Sequence, residues 1–186
     1  MSFEPNQIPM ILKQAGILPK KSLGQNFLID PHSLDQVIRA ADIQPQQEIL
    51  DIGAGLGNLT LRLSQDAKRV TAVELDQRLI PLLQDNLRGM SNVNIIQGDI
   101  LELQPDSLDL EDGYLVVANI PYYITSAIIR RLLNAPEKPA RVVLTVQREV
   151  GERITAQPGA LSILALSVQV YGSPRIVAKI PAGAFY

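Results

Sequence analysis

The chain has 186 residues, 46% hydrophobic and 19% charged, enough apolar content for one globular domain with a buried core. A formal charge of −2, no Cys and a single His exclude a global positive field, disulfides, thiol nucleophiles and multi-His or Cys-ligated metal sites. No apolar run nears the roughly 18 residues of a spanning helix, and the opening MSFEPNQIPM lacks the basic segment of a secretory signal. A cytoplasmic, soluble monomer without a membrane partner is expected.

In chain order, residues 1–30 carry scattered Pro and the Lys20-Lys21 pair and read as an arm. Asp30-Pro31 starts a helix, a capping carboxylate followed by a proline whose missing N–H costs nothing there. Leu34, Val37, Ile38 and Ala41 then share one face. Strands are expected at Glu48–Ile52, Arg69–Glu74, 93–96, 114–118 and 142–146. Helices between them show apolar faces at Leu56, Leu59 and Leu63, then Leu79, Leu82, Leu83 and Leu87, then Ile128, Ile129, Leu132 and Leu133. Asp76 and Thr125 are candidate caps of the last two. Apolar strands alternating with amphipathic helices predict an α/β fold over 31–186, a mostly parallel sheet with helices on both faces. Residues 161–170 fit either a helix or a strand, and 175–180 alternate weakly like a strand.

The first strand runs into Gly53-Ala54-Gly55-Leu56-Gly57, a turn in which glycines let the backbone approach a ligand. A nicotinamide site would read G-x-G-x-x-G; here the third glycine comes one residue early and position 58 is Asn. That spacing suits S-adenosylmethionine, which has no pyrophosphate. Glu74 ends the second strand about twenty residues on, where a carboxylate accepts ribose hydroxyls. Asp99 follows the third strand and can accept from an adenine amine, or simply hold an Asx turn.

Asn119-Ile120-Pro121-Tyr122 follows the fourth strand at the same sheet edge. The nitrogen of an adenine amine is a poor nucleophile because its lone pair is delocalised into the ring. The Asn119 amide oxygen and the Ile120 carbonyl can each accept an amine hydrogen and favour a tetrahedral nitrogen. Pro121 fixes the backbone and offers no competing N–H. Tyr122 gives an extruded base a stacking face, worth about 1–3 kcal/mol. No strong base is needed, because the alkylated amine is itself acidic.

Lys20-Lys21-Ser22-Leu23-Gly24-Gln25-Asn26-Phe27-Leu28 resembles the opening signature of KsgA/RsmA-type ribosomal RNA adenine dimethyltransferases. The glycine turn, Glu74, Gly98-Asp99-Ile100, Asn119 to Tyr123, Gln147-Arg148-Glu149-Val150 and Ile180-Pro181-Ala182-Gly183-Ala184-Phe185 match its later motifs in order. The resemblance implies a Rossmann-like enzyme that uses S-adenosylmethionine to dimethylate N6 of two adjacent adenosines. Its implied target is the hairpin near the 3′ end of small-subunit ribosomal RNA, late in assembly. By motif, Asn26 and Leu28 would close over the methionine part, with Gly53 and Gly55 lining the cofactor. Glu74 would hold the ribose and Asp99 the adenine. Asn119 would flank the donor and, with Ile120, grip the amine; Tyr122 and Phe185 would wall the base. The arm, residues 1–30, would close over the cofactor site.

Family members continue through a Pro-rich segment, a closing antiparallel strand and a small helical domain, which this sequence does not reach. The resemblance therefore implies a C-terminally truncated chain, with RNA positioning in doubt. Lys13, Lys20, Lys21, Arg130, Arg131, Lys138, Arg141, Arg148 and Arg153 are the candidate phosphate contacts. The rival readings are the large-subunit adenine methyltransferases of macrolide resistance, a non-catalytic RNA-binding assembly or transcription factor, and a nicotinamide dehydrogenase. No metal is expected in any of the methyltransferase readings.

Overall fold

A computed structural model describes Glu4, residues 7–20 and residues 23–186. Lys21 and Ser22, part of the opening signature, lie outside the described residues. The elements in order are α1 Ile8–Gln14, α2 Pro31–Ala41, β1 Glu48–Ile52, α3 Asn58–Asp66, β2 Arg69–Glu74, α4 Ile80–Asn86 and β3 Val93–Gln97. They continue with β4 Leu115–Asn119, α5 Thr125–Asn134, β5 Arg141–Thr145, α6 Arg148–Ile154 and α7 Ile163–Gln169. The helix start at Asp30-Pro31 forms as its chemistry dictates: the Asp30 carboxylate accepts from the Ser33 backbone N–H at 2.8 Å.

The strands make one parallel sheet in the order β3-β2-β1-β4-β5. β1 and β2 are buried almost throughout, and their interiors are mostly apolar, with Asp51 and Thr71 the buried polar exceptions. Side chains alternate across the sheet. Ile49, Val70, Leu115 and Val117 pack under α2 and α3, whereas Leu50, Val73, Val116 and Ala118 pack against Ile128 and Leu132 of α5. The arm contributes core of its own: Ile8, Leu12, Ile17 and Phe27 bury together with Leu56 and Leu79.

Three local expectations are settled differently, and one left open between helix and strand is resolved. Asp76 does not cap α4, which starts four residues later; its carboxylate is taken by Arg78 and Gln25. Thr125 is the first residue of α5, and its hydroxyl donates back to the Tyr122 carbonyl at 3.1 Å instead of accepting. The ambiguous stretch is helical, because the Ser162 hydroxyl accepts from Ala165 N–H and starts α7. Residues 175–180 form no strand: no described strand bonds to them, and Ile176 and Val177 stay about half exposed.

Candidate active site

β1 has β2 on one side and β4 on the other, so strand order reverses at β1 and a crevice opens beyond its carboxyl end. A cavity of about 100 Å³ occupies it. Gly53 and Gly55 of the glycine turn, Glu74, Asp99, Asn119 and Pro121 line it, as do Asn26 and Leu28. Five separate segments thus bring eight of the expected site residues around one hollow.

Glu74 is buried at the end of β2. One of its oxygens accepts from Gly55 N–H at 2.8 Å and the other from Asp76 N–H at 2.7 Å. The acid thereby fixes the glycine turn, where a side chain on Gly55 would meet the Phe27 ring at 3.1 Å. Burial pushes the Glu74 carboxyl up from its ordinary range, against the pull of those two N–H groups. Asp76, two residues on, is drawn down to about 2, chiefly by the Arg78 guanidinium, with the Gln25 amide assisting against burial. Asp99 is partly exposed, and its Oδ1 accepts from Leu101 N–H at 2.9 Å. The Asx turn and the cavity position therefore coexist.

The buried acid Asp51 has no role in the sequence reading, yet it lines the cavity at 1% exposure and accepts from the Thr60 hydroxyl at 2.7 Å. A carboxylate inside the run Glu-Ile-Leu-Asp-Ile was the available signal. Burial pushes the Asp51 carboxyl up to about 7; the Thr60 hydroxyl opposes this and the Glu74 charge adds to it. Below about 4 both folded and unfolded chains hold this proton. Between about 4 and 7 only the folded chain keeps it, so stability falls as pH rises through that window and levels off above it. Asp51→Asn, which keeps an acceptor for Thr60, is expected to gain stability over the parent from pH 5 to pH 8. Urea midpoints at the two pH values check this; equal gains at both would remove Asp51 from the titration.

Asn119 ends β4 and lines the cavity. Its Nδ2 donates to the Asn26 carbonyl at 2.8 Å, which fixes which end of the amide is which. Its Oδ1 is buried without a hydrogen-bond partner among the described residues. Buried acceptors are satisfied almost everywhere in folded proteins, so an orphan beside a cavity marks a place for a donor. Pro121 packs its ring 3.6 Å from where a Cβ on Gly53 would stand, so the β1 and β4 loops touch.

Three expected residues do not line the cavity. Ile120 is buried with its side chain in the core beside α5, which leaves only its carbonyl for chemistry. Tyr122 is half-buried outside the lining, and Tyr123 lines the cavity in its place. Phe185 bridges Leu28 in antiparallel fashion and packs on the core beside α2, outside the cavity lining. Pairing decides this, because Phe27 and Tyr186 exchange backbone hydrogen bonds of 2.9 Å and turn Phe185 inward. Among the basic candidates, Arg131 donates to the Leu101 and Leu103 carbonyls and Arg141 to the Ala41 carbonyl. Lys138 donates to the Leu133 carbonyl, and its ammonium lies 5.7 Å from the Tyr171 ring centre.

A parallel sheet with a glycine turn at its switch point and an acid closing the next strand defines a Rossmann-like methyltransferase fold, and solved structures agree. A dimethyladenosine transferase from Plasmodium falciparum superposes with a TM-score of 0.67 at 32% identity, covering 76% of this chain and 51% of that one. The 23S rRNA methyltransferase ErmE gives 0.64 at 31% identity, covering 73% and 53%. The family model described as ribosomal RNA adenine dimethylase matches residues 18–186, and the chain belongs to that family. A relative from Dehalococcoides mccartyi strain CBDB1, named ribosomal RNA small subunit methyltransferase A, is 44% identical over 168 residues, 90% of this chain. The chain spans 58% of that relative's length.

Proposed function

We propose that this chain uses S-adenosylmethionine to dimethylate N6 of two adjacent adenosines in the 3′-terminal hairpin of small-subunit ribosomal RNA. The observation that carries the reading is the orphaned Asn119 oxygen beside the cavity. When bound, the donor supplies an electrophilic methyl on a sulfonium. The donor set fits it: carboxylates at Glu74 and Asp99 suit ribose hydroxyls and an adenine amine. Gly53 and Gly55 permit close backbone approach, and Asn26 and Leu28 would cover the methionine end.

The target amine would give its two hydrogens to Asn119 Oδ1 and the Ile120 carbonyl. Two such bonds draw the nitrogen toward tetrahedral geometry and release its lone pair for the methyl. Preorganised acceptors in a water-poor hollow do this without reorganisation at the moment of reaction. The methylated nitrogen then loses its proton to solvent, so no side chain need act as a strong base. Tyr122 and the exposed ring of Tyr123 flank the entry for a base swung out of its stack.

The name of the Dehalococcoides relative supports the small subunit as target. The fold alone does not discriminate, since ErmE superposes nearly as well. Among the described residues no helix is long and apolar enough to cross a membrane. The reading has the protein act as a monomer in the cytoplasm on assembling subunits. Methyl-labelled donor offered with unmethylated small and large ribosomal subunits tests it. Label in the small-subunit RNA supports the reading, and label confined to the large subunit transfers the chain to the rival class.

A further inference from the structure

We propose that Gln25 and Asp76 form a latch that closes residues 23–26 over the cavity and so holds the Asn119 oxygen ready for the target amine. The role of that oxygen rests on the function proposed above; the latch itself does not.

The cavity is the first reason. At about 100 Å³ it is smaller than the roughly 300–1,000 Å³ of sites that take nucleoside-sized ligands. Room for such a ligand is made by moving wall residues, and arm residues 23–26 form one continuous strap of that wall.

The strap is tied at three points, each to a residue of the cavity wall or its rim. Gly24 lies against Tyr123, so closely that a methyl there would stand 3.0 Å from the ring. Gln25 Nε2 donates to Asp76 Oδ2 at 2.9 Å, and Arg78 holds that carboxylate from the other side. The Asn26 carbonyl accepts from Asn119 Nδ2. Beyond them the chain is anchored: the Phe27 ring is buried, and Ile29 N–H donates to the Ala184 carbonyl at 2.8 Å. These anchors restrain the chain on the C-terminal side of the strap.

The third tie gives the strap its consequence. The two ends of an amide are nearly alike in size, so hydrogen bonding decides which one faces where. The bond to Asn26 occupies Nδ2 and leaves Oδ1 as the unpartnered end. Lifting the strap breaks that bond and releases the amide to turn. Asp76 N–H also donates to Glu74 at 2.7 Å, so the latch touches the acid of the glycine turn. Gln25 is therefore a positioning residue that acts through Asn26 on Asn119.

The test cuts the latch without touching Asn119. Side-chain amide hydrogen exchange of Asn119 is followed by NMR in the unliganded chain, for the parent, Gln25→Leu, Gln25→Glu and Gln25→Glu with Asp76→Asn. The expected result is exchange about tenfold faster in Gln25→Leu and Gln25→Glu. The double variant re-creates a carboxylate–amide pair and returns exchange toward the parent rate. Stopped-flow binding of S-adenosylhomocysteine to the same proteins is expected to show association and dissociation both faster when the latch is cut. Unchanged Asn119 exchange in folded Gln25→Glu, or no recovery in the double variant, overturns the latch. If the parent does not bind S-adenosylhomocysteine, the donor reading fails while the exchange series still decides the latch.

Discussion

Asn119→Ala is expected to lower methyl transfer by about 10²- to 10³-fold, the usual loss when one preorganised polar partner of the transition state is deleted. The reasoning is differential. Asn119 Oδ1 has no partner within the described chain, so the folded protein loses nothing there when the side chain goes. The bond to Asn26 does disappear, and the strap loosens at one of its three ties. Donor affinity should therefore change by no more than a few-fold while the rate at saturating donor collapses. Calorimetry and single-turnover transfer on one preparation separate the two. A parallel loss in both would make Asn119 a binding or folding residue.

Glu74→Ala has the opposite signature. Its two oxygens satisfy Gly55 N–H and Asp76 N–H, and truncation orphans both donors at the turn that shapes the cavity. Orphaning a buried donor costs about 1–3 kcal/mol, and the ribose hydroxyls would lose their acceptor as well. Donor affinity is expected to fall by roughly 5- to 150-fold, the equivalent of that energy. The melting temperature should drop in the unliganded protein too, because the orphaned groups belong to the fold. Unchanged affinity in an isothermal titration would take Glu74 out of the site. Gly55→Ala is no substitute for this test, since its methyl would collide with Phe27 and disturb the arm instead.

The contrast between these two residues explains how far the sequence could be read. β1 and β2 were legible to the residue because buried parallel strands are mostly apolar runs, broken inside here only at Asp51 and Thr71, that end at a glycine or an acid. The other three strands shifted by a residue at their ends, where partly exposed positions blur the run. Glu74 and Asn119 were legible because each ends a strand at the carboxyl edge, a place that topology makes chemical. Asp51 carried one local signal, a carboxylate inside a mostly apolar run, but its importance lies in complete burial, which that run alone does not display.

Pairings between distant segments were not legible at all. Gln25 meets Asp76 across 51 positions, and Asn26 meets Asn119 across 93. Neither has a local periodicity to announce it. The direction of Phe185 is another case: it is set by pairing with Leu28, not by the residues beside it. Tyr123 carried no signal distinguishing it from Tyr122. A short helical turn from Tyr122 to Ile124 decides which ring reaches the cavity.

The claim that one hollow holds the donor and receives the adenine amine is tested most directly by nucleoside mass spectrometry. Unmethylated small-subunit RNA particles are incubated with this chain and donor carrying a ¹³C methyl, then digested. The expected product is adenosine bearing two labelled methyls on N6, formed about 10²- to 10³-fold more slowly with Asn119→Ala. Label on any other atom, or an undiminished yield from Asn119→Ala, would contradict it.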